Sequence, residues 1–130
     1  MPGRQSPALR QLNVDDMSAS NIPVNTLIAT RAFANRVAHV SPTQKVILFG
    51  SRARSTEQDE SDADVAIIFK GAVGPFIKTK MAMNDIAYDI PLDTGIRIQP
   101  LLVWEAEWAH PENNRNPHLL HNIARDGITL

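Results

Sequence analysis

Cysteine is missing from all 130 residues. That removes disulfides, thiolate zinc sites and cysteine nucleophiles, and it suits a reducing compartment. A charge surplus is missing too: 13 Lys+Arg face 14 Asp+Glu, a net charge of −1. Nucleic-acid binders usually carry a basic excess, so direct nucleic-acid binding is not expected. No apolar run approaches the ~20 residues that cross a bilayer. Residues 1–20 also lack the apolar stretch of a secretory leader, so the expectation is a cytoplasmic protein without a membrane segment. Repeats and long linkers are absent as well. What is present is ordinary for a globular chain, with 43% hydrophobic and 21% charged residues, at a length that makes one core. The expected organisation is a weakly ordered N-terminal segment over 1–20 and a single domain over 21–130.

The first strong element begins near Asn21, a capping residue type, with Pro23 suited to a first helical turn. Val24, Leu27, Ile28, Ala34, Val37 and Ala38 give its apolar stripe, and Ser41-Pro42 ends it. Lys45 to Phe49 is a short β-prone run closed by Gly50-Ser51. After the polar stretch 52–61, Asp62 to Phe69 reads as a second strand. Phe76 to Ile90 reads as a helix closed by Pro91. Ile96 to Val103 reads as a third strand, in which Pro100 points to a sheet edge or a bulge. Trp104 to Ala109 fits a short helix and His110 to Asn116 a loop. Pro117 to Arg125 fits a last helix, with Gly127 at its stop. This order predicts a small mixed α/β (α+β) sheet flanked by helices.

Two features carry chemistry. Gly50-Ser51 follows a buried strand directly, where a glycine permits a sharp turn and close approach to a ligand. If the chain then turns helically, free N–H groups converge on one spot suited to phosphate. The Ser51 hydroxyl and the charges of Arg52 and Arg54 would add to it. The bland alternative is a plain strand-to-loop turn. The second feature is Asp62-Ala63-Asp64 at a strand entrance. Residues two apart share a strand face at about 6–7 Å, so both carboxylates can reach Mg²⁺ or Mn²⁺. The bland alternative is a solvated entrance with Asp62 in the turn. Ten residues separate Ser51 from Asp62. A tight connection would bring phosphate and metal together, the arrangement nucleotidyl transfer needs.

The run Ile47-Leu48-Phe49-Gly50-Ser51-Arg52-Ala53-Arg54, followed by Ser61-Asp62-Ala63-Asp64-Val65, resembles the signature of minimal nucleotidyltransferases in the DNA polymerase beta superfamily. The likeness is dense over 45–69 and thinner toward the C-terminus, through Ile96 to Val103 and Asn122 to Ile128. The resemblance implies a polymerase beta-like fold. It implies that Gly50, Ser51, Arg52, Arg54 and Ser61 hold the nucleotide. It implies that Asp62 and Asp64 are the catalytic acids and bind divalent metal. The family pattern usually has a third acid on the later strand, and the aligned position here is Gln99. An amide oxygen ligates weakly and takes no proton at neutral pH. Asp93, Glu105 and Glu107 are the stand-ins to consider, and Ser55 stands where relatives often have Gly. The resemblance further implies transfer of AMP from ATP to a hydroxyl group. The chain is similar in size to the antitoxin half of toxin–antitoxin pairs, whose partner is an all-helical HEPN-type toxin. A second copy of the chain is the other partner considered.

Rival readings follow from the same residues. Gln99 favours a catalytically weak binding module that neutralises a partner by contact. An Asp-x-Asp glycosyl transferase is the third class, but such enzymes are much larger. His118 and His121, three apart, would share a helix face; without a Cys or an acid they read as ordinary surface or packing histidines. Trp104 and Trp108, four apart, would share a face of the short helix and pack in a core or interface. The Met81/Met83 region reads as helix core, and Lys78 and Lys80 are too few for a nucleic-acid footprint.

Overall fold

A computed structural model describes residues 22–54, 56 and 61–130, apart from the side chains of Leu92 and Asp93. The segment 1–20, Asn21 and Ser55 lie outside the described residues. Helix α1 (Val24–Val40) is followed by strands β1 (Thr43–Phe49) and β2 (Ala63–Phe69), helix α2 (Phe76–Thr94) and strand β3 (Ile98–Trp104). Then come short helix α3 (Glu105–Ala109), a 3₁₀ turn over Pro111–Asn113, helix α4 (Pro117–Asp126) and strand β4 (Ile128–Thr129). The sheet runs β3-β2-β1-β4. β1 pairs antiparallel with β2 and β4. β2 and β3 are parallel, with α2 as the crossover. This is the mixed α/β architecture expected.

Alternation along β2 divides its side chains between two cores. Ala63, Val65, Ile67 and Phe69 face α1 and α2, packing with Phe33, Val37, Met83 and Ile90. Ala66 and Ile68 face the other way, with Ile47, Val103, Leu120 and Ile123 beneath α4. Asp64 keeps this second parity, so it opens on the α4 side, where the sheet outruns its cover.

Several expectations need correction. The apolar stripe of α1 is different: Val24 and Ile28 are exposed, whereas Thr26, Ala29, Thr30, Phe33 and Val37 are buried. The two threonines go inside because they are satisfied, Thr30 Oγ1 donating to Thr26 O at 2.8 Å. Pro23 is the residue before the helix rather than within its first turn. β1 begins at Thr43, two residues early, with a register irregularity between Thr43 and Lys45. In α2, Phe76, Ile77 and Met81 are exposed and Met83 is core. Pro91 does not close that helix, which runs on to Thr94 with Pro91 inside and Gly95 as its left-handed cap. A proline in the last turn forfeits only its own N–H bond while the turn after it still closes, Gly95 N–H donating to Pro91 O at 2.9 Å. Trp104 ends β3, its ring tilted against that of Phe69 at 5.4 Å between centroids, so it does not share a helix face with Trp108. Gly127 does stop α4, in extended rather than left-handed geometry. A side chain there would strike Ile47 and the Ile123 carbonyl.

Candidate active site

The site is built by strand register. Phe49 of β1 lies opposite Asp64 of β2, and Asp64 lies opposite Gln99 of β3. Partners in register share a sheet face, so Asp64 and Gln99 stand side by side about one strand spacing, ~4.8 Å, apart. Gly50 is the next residue beyond Phe49. Its φ of 77° is left-handed, and a Cβ there would land on Asp64 Oδ2 and lie 3.2 Å from Asp64 Cγ. Only glycine lets the turn and the carboxylate occupy this corner together.

The chain after Gly50 coils into a helical turn. The N–H groups of Ala53 and Arg54 donate to Gly50 O at 3.1 and 3.2 Å. The N–H groups of Ser51 and Arg52, and the Ser51 hydroxyl, have no partner among the described residues. This is the free-donor arrangement the sequence pointed to, and such a turn suits an anion. Arg54 is exposed and lines a cavity of about 180 Å³ with Gly50, Asn122 and Asp126 at the end of α4.

Arg52 is placed differently from the expectation. It is 3% exposed and points inward. Its Nε donates to Ser61 O at 2.9 Å and its Nη1 to Thr26 Oγ1 at 2.7 Å. The guanidinium therefore clamps both ends of the β1–β2 connection to α1, and its contribution to the site is positional. Ser61 enters through its carbonyl in that clamp.

Asp62 sits just before β2, half-buried, and accepts from Arg97 Nε at 3.0 Å. Asp64 is also half-buried. Burial pushes its carboxyl above the ordinary range, the charge of Asp62 pushes the same way, and Arg54 pulls it back. Beyond the acids, on the β3 side, opens a cavity of about 530 Å³. Asp62, Asn84, Tyr88, Arg97 and Gln99 are among its lining. The sequence reading missed Arg97, whose charge two residues before Gln99 was the available signal.

Two of the stand-ins for a third acid, Glu105 and Glu107, are not at this end. Glu105 and Glu107 follow Trp104, five residues along β3 from Gln99, or about 17 Å. Glu105 accepts from Gln44 Nε2 and Gly71 N–H, and Glu107 from Trp104 N–H and Asn114 Nδ2. Asp93 lies on the last turn of α2, and its side chain is outside the described residues. His118 and His121 are exposed on α4, and no group of three His, Cys, Asp or Glu that could hold a metal occurs among the described residues. The donor set at Asp62, Asp64 and Gln99 is all oxygen, two carboxylates and an amide. It fits a hard divalent cation that keeps several waters or phosphate oxygens.

Comparison with known proteins agrees with this fold. The family model described as "Polymerase beta, Nucleotidyltransferase" matches residues 34–130. A solved structure of a protein from Sulfolobus solfataricus, described as a candidate nucleotidyltransferase, is similar in fold with a TM-score of 0.50. That likeness has 19% sequence identity and covers 82% of this chain and 86% of the other. No curated protein matches the sequence.

Proposed function

The chain belongs to the polymerase beta nucleotidyltransferase family, and on that footing we propose that it transfers a nucleoside monophosphate, AMP from ATP, to a hydroxyl group of a partner protein. One observation carries the reading: the free N–H groups after Gly50, the two aspartates and the large open cavity occur in that order across neighbouring strands. The triphosphate belongs on the β1 side, held by the Ser51 and Arg52 N–H groups, the Ser51 hydroxyl and the Arg54 charge. The acceptor belongs on the β3 side, in the cavity beside Asn84, Tyr88 and Gln99.

In the step itself the acceptor oxygen bonds to the α-phosphorus, the bond from that phosphorus to the bridging oxygen breaks, and pyrophosphate leaves with its electron pair. The acceptor proton is released to solvent. Asp62 and Asp64 would hold Mg²⁺ or Mn²⁺, which supplies Lewis-acid polarisation of phosphate oxygens and neutralises charge that builds up in the displacement. Gln99 can orient a hydroxyl through its amide, but it takes no proton.

In the proposed setting the partner is a HEPN-type toxin, which the modification silences in the cytoplasm. The test is incubation with ATP, Mg²⁺ and the product of the neighbouring gene, read by intact mass. The expected result is a gain of one AMP on the partner that disappears with Asp64→Ala. Nucleotide binding without any mass gain defeats transfer. The neutral Gln99, with Glu105 and Glu107 far away, specifically favours a second reading. In it the same fold binds nucleotide and partner and neutralises by contact. Toxin inhibition that survives in Asp64→Ala supports that second reading.

A further inference from the structure

Among the described residues, the acid end of the sheet pairs two carboxylates with a neutral amide and a cation of its own. Asp62 and Asp64 are the only carboxylates among the described residues that strand pairing brings to this corner, and Gln99, in register with Asp64, is neutral. Arg97 Nε meets Asp62 Oδ1 at 3.0 Å. The backbone fixes that neighbourhood, because Ala63 N–H donates to Arg97 O at 2.8 Å and so holds the start of β3 against the start of β2. The ion pair is partly exposed, 69% for Arg97 and 38% for Asp62. Its guanidinium can therefore shift among nearby anions without unfolding anything.

Two divalent cations side by side repel four times as strongly as two unit charges at the same distance. A site that holds both must offset this with shared carboxylates. Among the described residues two carboxylates stand here, and one already faces a guanidinium. We propose that this chain takes a single divalent cation at Asp62 and Asp64, and that Arg97, on the β3 side of the acids, supplies the second positive charge where the reacting phosphate meets the acceptor. The inference rests on the nucleotidyl-transfer reading and specifies how that site is charged. A planar guanidinium bonds phosphate oxygens in pairs, so it neutralises charge without needing ligands of its own.

The test is a count. The full chain, saturated with a non-hydrolysable ATP analogue, is titrated with Mn²⁺ and followed by electron paramagnetic resonance and calorimetry, with the analogue alone as blank. One Mn²⁺ per chain is expected, with a spectrum free of Mn–Mn coupling. Gln99→Glu alone should stay at one. Arg97→Ala alone should stay at one and bind it about twofold to fivefold more tightly, the range that loss of an exposed ion pair gives. The double variant Arg97→Ala/Gln99→Glu should take two. Both positions are at the surface, and circular dichroism checks that the variants fold. Two ions in the unaltered chain, or one in the double variant, overturns the inference while leaving nucleotidyl transfer standing. No Mn²⁺ at all overturns both.

Discussion

Gly50 and Asp64 share one corner of the sheet, and each limits what the other position can be. At φ 77° a side chain is strained before any clash is counted, and the Cβ would displace the Asp64 carboxylate as well. Gly50→Ala should cost at least about 2 kcal/mol in urea unfolding, and Mn²⁺ and nucleotide binding should be lost in the fraction that stays folded. Asp64 is itself held at a cost. Its carboxyl titrates above the ordinary range because burial and Asp62 oppose its charge. The native state therefore binds a proton that the unfolded chain has already released, and stability falls as pH rises from the ordinary aspartate range through the raised native value. Asp64→Asn should flatten that slope and raise the melting temperature of the metal-free protein by about 1–3 °C at pH 7, after allowance for solvent screening. It should also abolish Mn²⁺ binding. A thermal melt series from pH 3 to pH 8 checks both signs; an unchanged slope in Asp64→Asn removes Asp64 as the source.

Among the elements, α1 is tied to the site through one buried cation. Arg52 joins the turn after β1, the entrance of β2 and Thr26 of α1, so the helix holds the phosphate-binding turn in place. Arg52→Met fills similar volume but removes the two Arg52 bonds, to the Ser61 carbonyl and the Thr26 hydroxyl, and should cost about 2–4 kcal/mol. Thr26→Val should cost about 1–3 kcal/mol by stripping one partner from a buried guanidinium. Both should weaken nucleotide binding with Asp62 and Asp64 intact, which calorimetry with ATP can measure. These links explain what the sequence could and could not convey. β1 and β2 were legible because short apolar runs bounded by Pro, Gly and Asp leave few alternatives. The turn and the aspartates were legible because their chemistry is unusual in that spacing. The buried face of α1 was not, since threonine looks polar until its hydroxyl partners are known. Arg52 was not, because a guanidinium beside a phosphate-binding turn and one buried beneath it read alike in one dimension. Strand β4 has only two residues and offers no periodicity to detect.

At the scale of the whole molecule, short β4 flanks the sheet beyond β1, and among the described residues no strand pairs beyond β3. Parallel register decides what that edge displays. Ala63 N–H bonds Arg97 O, so the N–H groups of Gln99 and Leu101 turn toward β2, while those of Ile98 and Leu102 turn outward. Pro100 shares the outward parity, so its missing N–H costs the ladder nothing, and that is why a proline can lie within β3 as the sequence suggested. It also interrupts the donors that a second copy would need for pairing edge to edge. Pro100→Val should therefore leave monomer unfolding within about 1 kcal/mol of the original and increase concentration-dependent association. Sedimentation velocity across a hundredfold concentration range reads the association. Amide exchange provides an independent check on the register: in the unaltered chain, Ile98 and Leu102 should exchange at least about tenfold faster than Leu101, because only their N–H groups lack a strand partner. Equal protection along β3 would mean that the edge is covered in solution, and the Pro100 substitution should then have no effect on association.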